Sequence, residues 1–294
     1  MLETVDRIQL VVADRAAAAR TFAAVLGTEV AGEDAVAPLG ARRTTLAAGR
    51  SFVELLAPDG AGAVQEHLTR LGPGLFAAGF ASAEIDALRT RLVAAAVSFA
   101  ESGPQLLLDP AATGGHGLRC VLSPVGATAA SVGLVSHLYE VTNLTPDSAA
   151  AAAGYAELFG LDPTRFHAIE SAEYGYRGTL TMFDPRDRLD RIECVTPHDL
   201  AKTMGRFMAH RGPCLYMAFV EAPDLAAIRR RVEEIAPGEW TGVGPADALD
   251  TIFVHPRALG GLLLGASRPT VAWSWSGHPE RVVAGATPTP RTSA

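Results

Sequence analysis

Polar and apolar residues alternate through Val5-Asp6-Arg7-Ile8-Gln9-Leu10-Val11-Val12, a period of two that predicts a strand with one buried face. Asp14 then opens an Ala-rich run that stops at Gly27; an acid at the cap and a glycine at the end predict a helix. The same order returns in the second half. Ser136-His137-Leu138-Tyr139-Glu140-Val141-Thr142 predicts a strand, and an Ala-rich helix runs from about Pro146 to Gly160, with Asp147 in its first turn, where it suits the helix dipole.

The following segments match as well. Thr44 to Ala47, a turn at Gly49 and Ser51 to Pro58 predict a hairpin ending in Glu-x-x-x-Pro; Gly178 to Phe183, a turn over 184–187 and Arg191 to Pro197 predict another. Each half then passes through a helix to a glycine, Gly72-Pro73-Gly74-Leu75-Phe76 beside Gly212-Pro213-Cys214-Leu215-Tyr216, and on to a helix, over 84–89 and 224–229. The chain therefore reads as four strand–helix–strands units, two per half, joined near Gly133. Trp273-Ser274-Trp275 predicts an extended cover strand over core, and the Gly, Pro, Thr and Ser beyond Val283 predict a mobile end.

At 294 residues the chain has room for two ordinary domains, and 48% apolar with 19% charged residues is a globular composition. A net charge of −7 argues against a nucleic-acid partner. Three cysteines, Cys120, Cys194 and Cys214, lack CxxC spacing, which disfavours a disulfide frame or a Cys-rich zinc site. The opening residues lack the apolar core of a signal peptide, and no apolar run approaches the roughly 20 residues that span a bilayer, so a cytoplasmic protein without membrane partner is expected. No G-x-S-x-G, H-E-x-x-H or dinucleotide fingerprint occurs, and Gly114-Gly115-His116-Gly117 is followed by no Lys-Ser/Thr. Serine hydrolase, zinc protease and nicotinamide chemistry are disfavoured, and no nucleotide cofactor is expected.

Over about residues 4 to 270 the chain resembles the vicinal oxygen chelate superfamily: glyoxalases, bleomycin-resistance proteins, methylmalonyl-CoA epimerases and extradiol dioxygenases. The resemblance rests on Ile8 to Gly27, its echo from His137 to Gly160, the Glu-x-x-x-Pro strand ends, and Phe253 to Leu264, which looks like the closing segment of the epimerases. It implies an α+β fold of four βαβββ units paired into two domains with cupped mixed sheets. Residues 1–132 would form the N-terminal domain with a degenerate metal site, 133–270 the C-terminal domain with the candidate active site, and 271–294 an extension.

In that family a divalent metal is held by a His from each unit's first strand and a Glu from its last. Carried onto the first domain, the positions hold Arg7, Glu54 and Phe76 or Ala77. A guanidinium has only donors and cannot ligate a cation, so Arg7 and Glu54 are expected to form a charge pair in the metal's place. The second domain offers His137 and Glu193, with Tyr216 at the second His position and Gly265 at the closing Glu position. His137 and Glu193 are thus the candidate ligands of one divalent ion (Zn, Fe, Mn, Ni or Co), or a base and its orienter without one.

The expected catalytic set is His137, Glu193 and Tyr216. Tyr139 shares a strand face with His137, Tyr174 and Tyr176 precede a strand facing the second cup, and His255 lies in a neighbouring loop; these four are the substrate-binding candidates, with plain packing as the alternative. His167, His198 and His210 have no partner at metal spacing. Two functions remain open: an isomerase, lyase or oxygenase acting on a small oxygen-rich molecule in the C-terminal domain, or a metal-free protein that binds or sequesters a small molecule. Monomer and homodimer are both open.

Overall fold

The computed structural model describes residues 1–126, 131–245 and 248–283. The segment beyond Val283, read above as a mobile end, lies outside the described residues. The first unit is β1 (Thr4–Val11), α1 (Arg15–Leu26), β2 (Glu29–Val36), β3 (Ala41–Ala48) and β4 (Ser51–Pro58). Helix α2 (Ala63–Leu71) leads to the second, β5 (Gly74–Ser82), α3 (Ile85–Ala94), β6 (Ala100–Ser102), β7 (Gln105–Leu108) and β8 (Cys120–Pro124). The third is β9 (His137–Leu144), α4 (Ser148–Phe159), β10 (His167–Ser171), β11 (Tyr176–Met182) and β12 (Arg191–Pro197). After α5 (Thr203–Arg211) comes the fourth, β13 (Cys214–Glu221), α6 (Leu225–Ile235), β14 (Trp240–Val243), β15 (Thr251–Val254) and β16 (Leu263–Ser267).

Two mixed eight-stranded sheets result, ordered β2-β3-β4-β1-β5-β8-β7-β6 and β10-β11-β12-β9-β13-β16-β15-β14. Each unit closes by pairing its first and last strands in parallel, and two units join where their first strands run antiparallel, β1 with β5 and β9 with β13. The caps set the helix limits. Asp14 accepts the Ala17 N–H, Asp147 accepts those of Ala149 and Ala150, and Gly27 and Gly160 end their helices at φ of 74° and 65°, where a side chain would be strained.

One core lies between the two sheets and is shared by both halves. Phe80 of the first half meets Phe159 and Phe183 of the second at ring-centroid distances of 6.2 and 5.6 Å, and all three are fully or nearly fully buried. The two cups have their own linings: Val11, Val36, Leu56 and Phe76 in one, Tyr139, Leu180, Met217 and Phe219 in the other.

The two indoles do not sit on an extended strand. Val271–Trp275 is a 3-10 turn, entered through Thr270 in the left-handed region and closed by the Ser274 and Ser276 hydroxyls, which donate to the carbonyls of Val271 and Ala272. Such local side-chain-to-backbone bonds favour a turn over a ladder. The segment still covers core, with Trp273 buried. Among the described residues no helix is long and apolar enough to cross a membrane.

Because one core serves both sheets, Phe80→Ala is expected to cost about 3–5 kcal/mol while leaving a single unfolding transition in urea. Two resolved transitions would show that the halves unfold independently.

Candidate functional site

The N-terminal cup is organised around Glu54 of β4. Arg7 of β1 donates from Nη1 to Glu54 Oε1 at 2.5 Å, Gln9 donates to Oε2 at 2.7 Å, and Arg43 of β3 donates to Oε1 at 3.2 Å. Strand alternation puts Arg7 and Gln9 on one face, and the register sets Gln9 directly beside Glu54. Each guanidinium has a second carboxylate: Asp6 accepts from Arg7 at 2.6 and 3.0 Å, and Asp34 accepts from Arg43 at 2.6 and 2.8 Å. Arg43 also donates to Gln105 Oε1 at 2.7 Å. Gly79 makes room for this arrangement, since a Cβ there would sit 1.9 Å from Arg7 Cγ. Burial alone would raise the Glu54 carboxyl, but Arg7, Arg43 and the Gln9 amide outweigh it and hold it below the usual range.

A cavity of about 360 Å³ opens at this end of the cup, lined by Arg7, Asp34, Arg43, Gln105 and Ser123 among others. Arg7, Gln9 and Val11 alternate onto one face of β1, so the polar cluster at the cavity adjoins the buried apolar group of Val11 and Phe76, which does not itself line the cavity. Gln9, Asp34, Arg43 and Gln105 were missed as site residues. Arg42 and Arg43 lie in a strand that alternates, which would have put one of them inside.

The C-terminal cup also centres on a guanidinium and a carboxylate, on exchanged strands. Arg191 of β12 is fully buried, donates from Nε to Glu140 of β9 at 2.5 Å and from Nη1 to Ser276 at 2.7 Å, and lies 5.2 Å from the Tyr139 ring centroid. Phe219 fills the space over Gly265, where a Cβ would sit 2.2 Å from its ring. Trp273 joins the same lining, and Trp275 lies 6.4 Å from Phe219. The C-terminal segment thus occupies this cup.

Glu193 is buried beside that pair, accepting the Thr142 hydroxyl at 2.5 Å. Burial first, and then the charge of Glu140, push its carboxyl up to about 8 against the pull of Thr142 and Arg191. Tyr176, at the start of β11, is partly buried and within the field of Glu193, which together with burial pushes its phenol up. Tyr216 is partly buried, edge-on to Phe207 at 5.1 Å.

His137 does not join Glu193. Glu193 pairs with Thr142, five residues along β9 from His137, so their Cα atoms are on the order of 15 Å apart at strand rise. His137 lies at the seam between halves, with Nδ1 3.4 Å from Arg50 and Nε2 3.9 Å from Glu221. Burial, with Arg50 and Arg188 nearby, pushes it down to about 4. The misplacement is one of register: counting back seven residues from the caps Asp14 and Asp147 gives Arg7 and Glu140, and His137 corresponds to Thr4. Tyr139 is fully buried with its hydroxyl 3.1 Å from Ser267, hence packing and no open wall. Tyr174 is exposed in a hairpin turn, and His255 lies beside Glu239 at 3.7 Å, at the sheet edge. The second first-strand position of this cup is filled by Phe219, in register with Glu140, and Tyr216 lies further along β13.

Solved structures share this architecture. A triple variant of 4-hydroxymandelate synthase from Streptomyces coelicolor superposes with a TM-score of 0.65 at 15% identity, over 96% of this chain and 100% of that one. A fusion of a xylose isomerase-like TIM barrel with a 4-hydroxyphenylpyruvate dioxygenase matches at 0.58 and 12% identity, over 91% of this chain and 49% of that one. This chain has the two-domain vicinal oxygen chelate fold. Methylmalonyl-CoA epimerase from Streptomyces coelicolor covers 43% of it and all of its own length, at 23% identity and a TM-score of 0.39. No family model and no curated protein sequence matches the chain.

The metal that the vicinal oxygen chelate fold implies is tested by the donors each cup presents. The first presents Arg7, Gln9, Gly79 and Glu54; the second presents Glu140, Thr142, Phe219 and Glu193. Among the described residues no three His, Cys, Asp or Glu converge to hold an ion. Each cup centre already carries a guanidinium ion-paired to its carboxylate, and a guanidinium repels a metal and cannot ligate it. The residues do not fit a divalent ion.

The two buried glutamates have opposite pH signatures. Glu54, held low, contributes stability that is present above the ordinary carboxyl range and lost as pH falls through its folded value. Glu193, held high, contributes stability that is present below its unfolded value of 4.5 and lost as pH rises through about 8. In urea titrations Glu54→Gln is expected to cost about 3–5 kcal/mol near neutral pH, shrinking in acid. Glu193→Gln is expected to match or exceed wild type above about pH 8. The reverse pattern would contradict the assignment.

Proposed function

We propose that this protein binds a small oxygen-rich molecule in its N-terminal cup without a divalent metal. The observation that carries the reading is the cavity of about 360 Å³ walled by Arg7 and Arg43, a volume within the range of small-molecule sites. Both guanidiniums are fixed by carboxylates, so their orientation costs nothing further on binding, and each keeps an N–H that no described residue accepts. Those donors, with the Gln105 amide and the Ser123 hydroxyl, suit carbonyl, ether or carboxylate oxygens. Ala35, Pro104 and Pro124, which also line the cavity, offer apolar contact to the remainder of such a guest. Glu54, held ionised by two cations, is a poor proton acceptor at neutral pH, which supports binding over acid–base chemistry here.

A second reading, an enzyme working in the C-terminal cup, is favoured by one observation: Glu193 keeps a proton up to about pH 8 and lies near Tyr176. A carboxyl in that state donates a proton at neutral pH. The segment around Trp273 covers that cup, which makes this the weaker reading.

Protein purified without chelator is expected to hold far less than one equivalent of divalent metal. In a fragment screen read by NMR, guests are expected to shift the Arg7 and Arg43 side-chain N–H signals. Arg43→Gln is expected to weaken those guests about 10- to 100-fold, the worth of a hydrogen bond from a charged donor. One equivalent of metal that His137→Ala removes would overturn the reading.

A further inference from the structure

A cluster of cationic side chains lies at the Phe76 end of the N-terminal cup, away from the Arg7–Arg43 cavity, where α2, α5 and the segment entering β8 meet. His67, Arg70 and Leu71 share one face of α2 at i, i+3 and i+4. The His67 ring stands edge-on to Phe76 at 5.4 Å, and Arg119 lies over the same ring at 4.5 Å. From the other half of the chain, Arg211 of α5 donates to the Leu71 carbonyl at 2.9 Å. Three guanidiniums and an imidazole therefore converge on the end of one helix.

Among the described residues no carboxylate lies within 4 Å of Arg70, Arg119 or Arg211, whereas Arg7, Arg43 and Arg191 all have one. The Arg119 side chain is half-buried and makes no hydrogen bond among the described residues; Glu66 and Asp109, both exposed, act on it only at longer range. His67 Nε2 is buried without a partner. Burial, followed by Arg211, Arg119 and Arg70, pushes the imidazole down to about 4. Arg119 and His67 thus carry a burial penalty that no directly paired acid offsets.

We propose that this junction is a binding site for a phosphate-class oxyanion, held by Arg119, Arg211 and Arg70. Three guanidiniums match a tetrahedral dianion, which offers each of them an oxygen, better than a flat monoanionic carboxylate. The competing account is structural: Arg211 caps the end of α2 and Arg119 stacks on Phe76, with no ligand involved.

Thermal melting of the full chain at low ionic strength separates the two accounts. Inorganic phosphate is expected to raise the melting temperature more than chloride at equal ionic strength. Glycerol 3-phosphate provides a second arm; a tighter ester names a phosphate ester as ligand and equal binding names free phosphate, and either supports the site. Arg119→Gln is expected to melt no lower than wild type without phosphate and to bind phosphate at least about 10-fold more weakly. The His67 ring signals are expected to titrate at higher pH once phosphate is bound. If Arg119→Gln fails to fold, Arg70→Gln, at an exposed position, is expected to weaken phosphate in the same direction. Phosphate acting no differently from chloride would overturn the proposal, as would an unchanged phosphate response in the folded variants.

Discussion

A buried guanidinium–carboxylate pair at the centre of each cup is the constraint around which the rest of this structure is arranged. Taking two charges out of water costs several kcal/mol per ion, and only close geometry with further hydrogen bonds offsets it. Each pair has such neighbours. Arg7–Glu54 is flanked by Gln9, Asp6 and Arg43, and its room comes from the missing Cβ of Gly79. Arg191–Glu140 is flanked by Ser276 and the Tyr139 face. Losing one member of the first pair would unbalance a network of two guanidiniums and three carboxylates, whereas losing Arg191 or Glu140 would leave its partner's charge unpaired in the interior.

The same fold is put to two uses. In the N-terminal half the guanidinium comes from the opening strand and the carboxylate from the closing one, and the polar mouth stays open between the sheet edges. In the C-terminal half the roles are exchanged, and aromatic residues with the turn at Val271–Trp275 fill the space. At the centre of the first cup stands an internal cation, which cannot ligate a metal and presents hydrogen-bond donors instead. The fold shared with the synthase and the dioxygenase fusion fixes the scaffold and leaves the chemistry to these side chains.

Local signals made the architecture legible in the sequence. The caps at Asp14 and Asp147, the stops at Gly27 and Gly160 and the period-two runs define the repeated units, because each is a short-range backbone requirement. The face-to-face meeting of Arg7 and Glu54 was legible too, since a donor-only side chain at a ligand position has few other partners. Register was not. His137 looked equivalent to a ligand position because it opens a strand, yet a bulge near Tyr139 and the spacing from the cap make Glu140 the inward residue. Arg43 and Gln105 come from strands far apart in sequence, and only the curvature of the sheet brings them together. The filling of the second cup likewise depends on where a distant turn lands.

A double-mutant cycle between Arg7 and Glu54, using Arg7→Met, Glu54→Gln and the double variant in urea denaturation at neutral pH, tests the internal pair most directly. A coupling energy of about 2 kcal/mol or more is expected for charges fixed in the interior. A value below about 0.5 kcal/mol, as for a solvated surface pair, would contradict it.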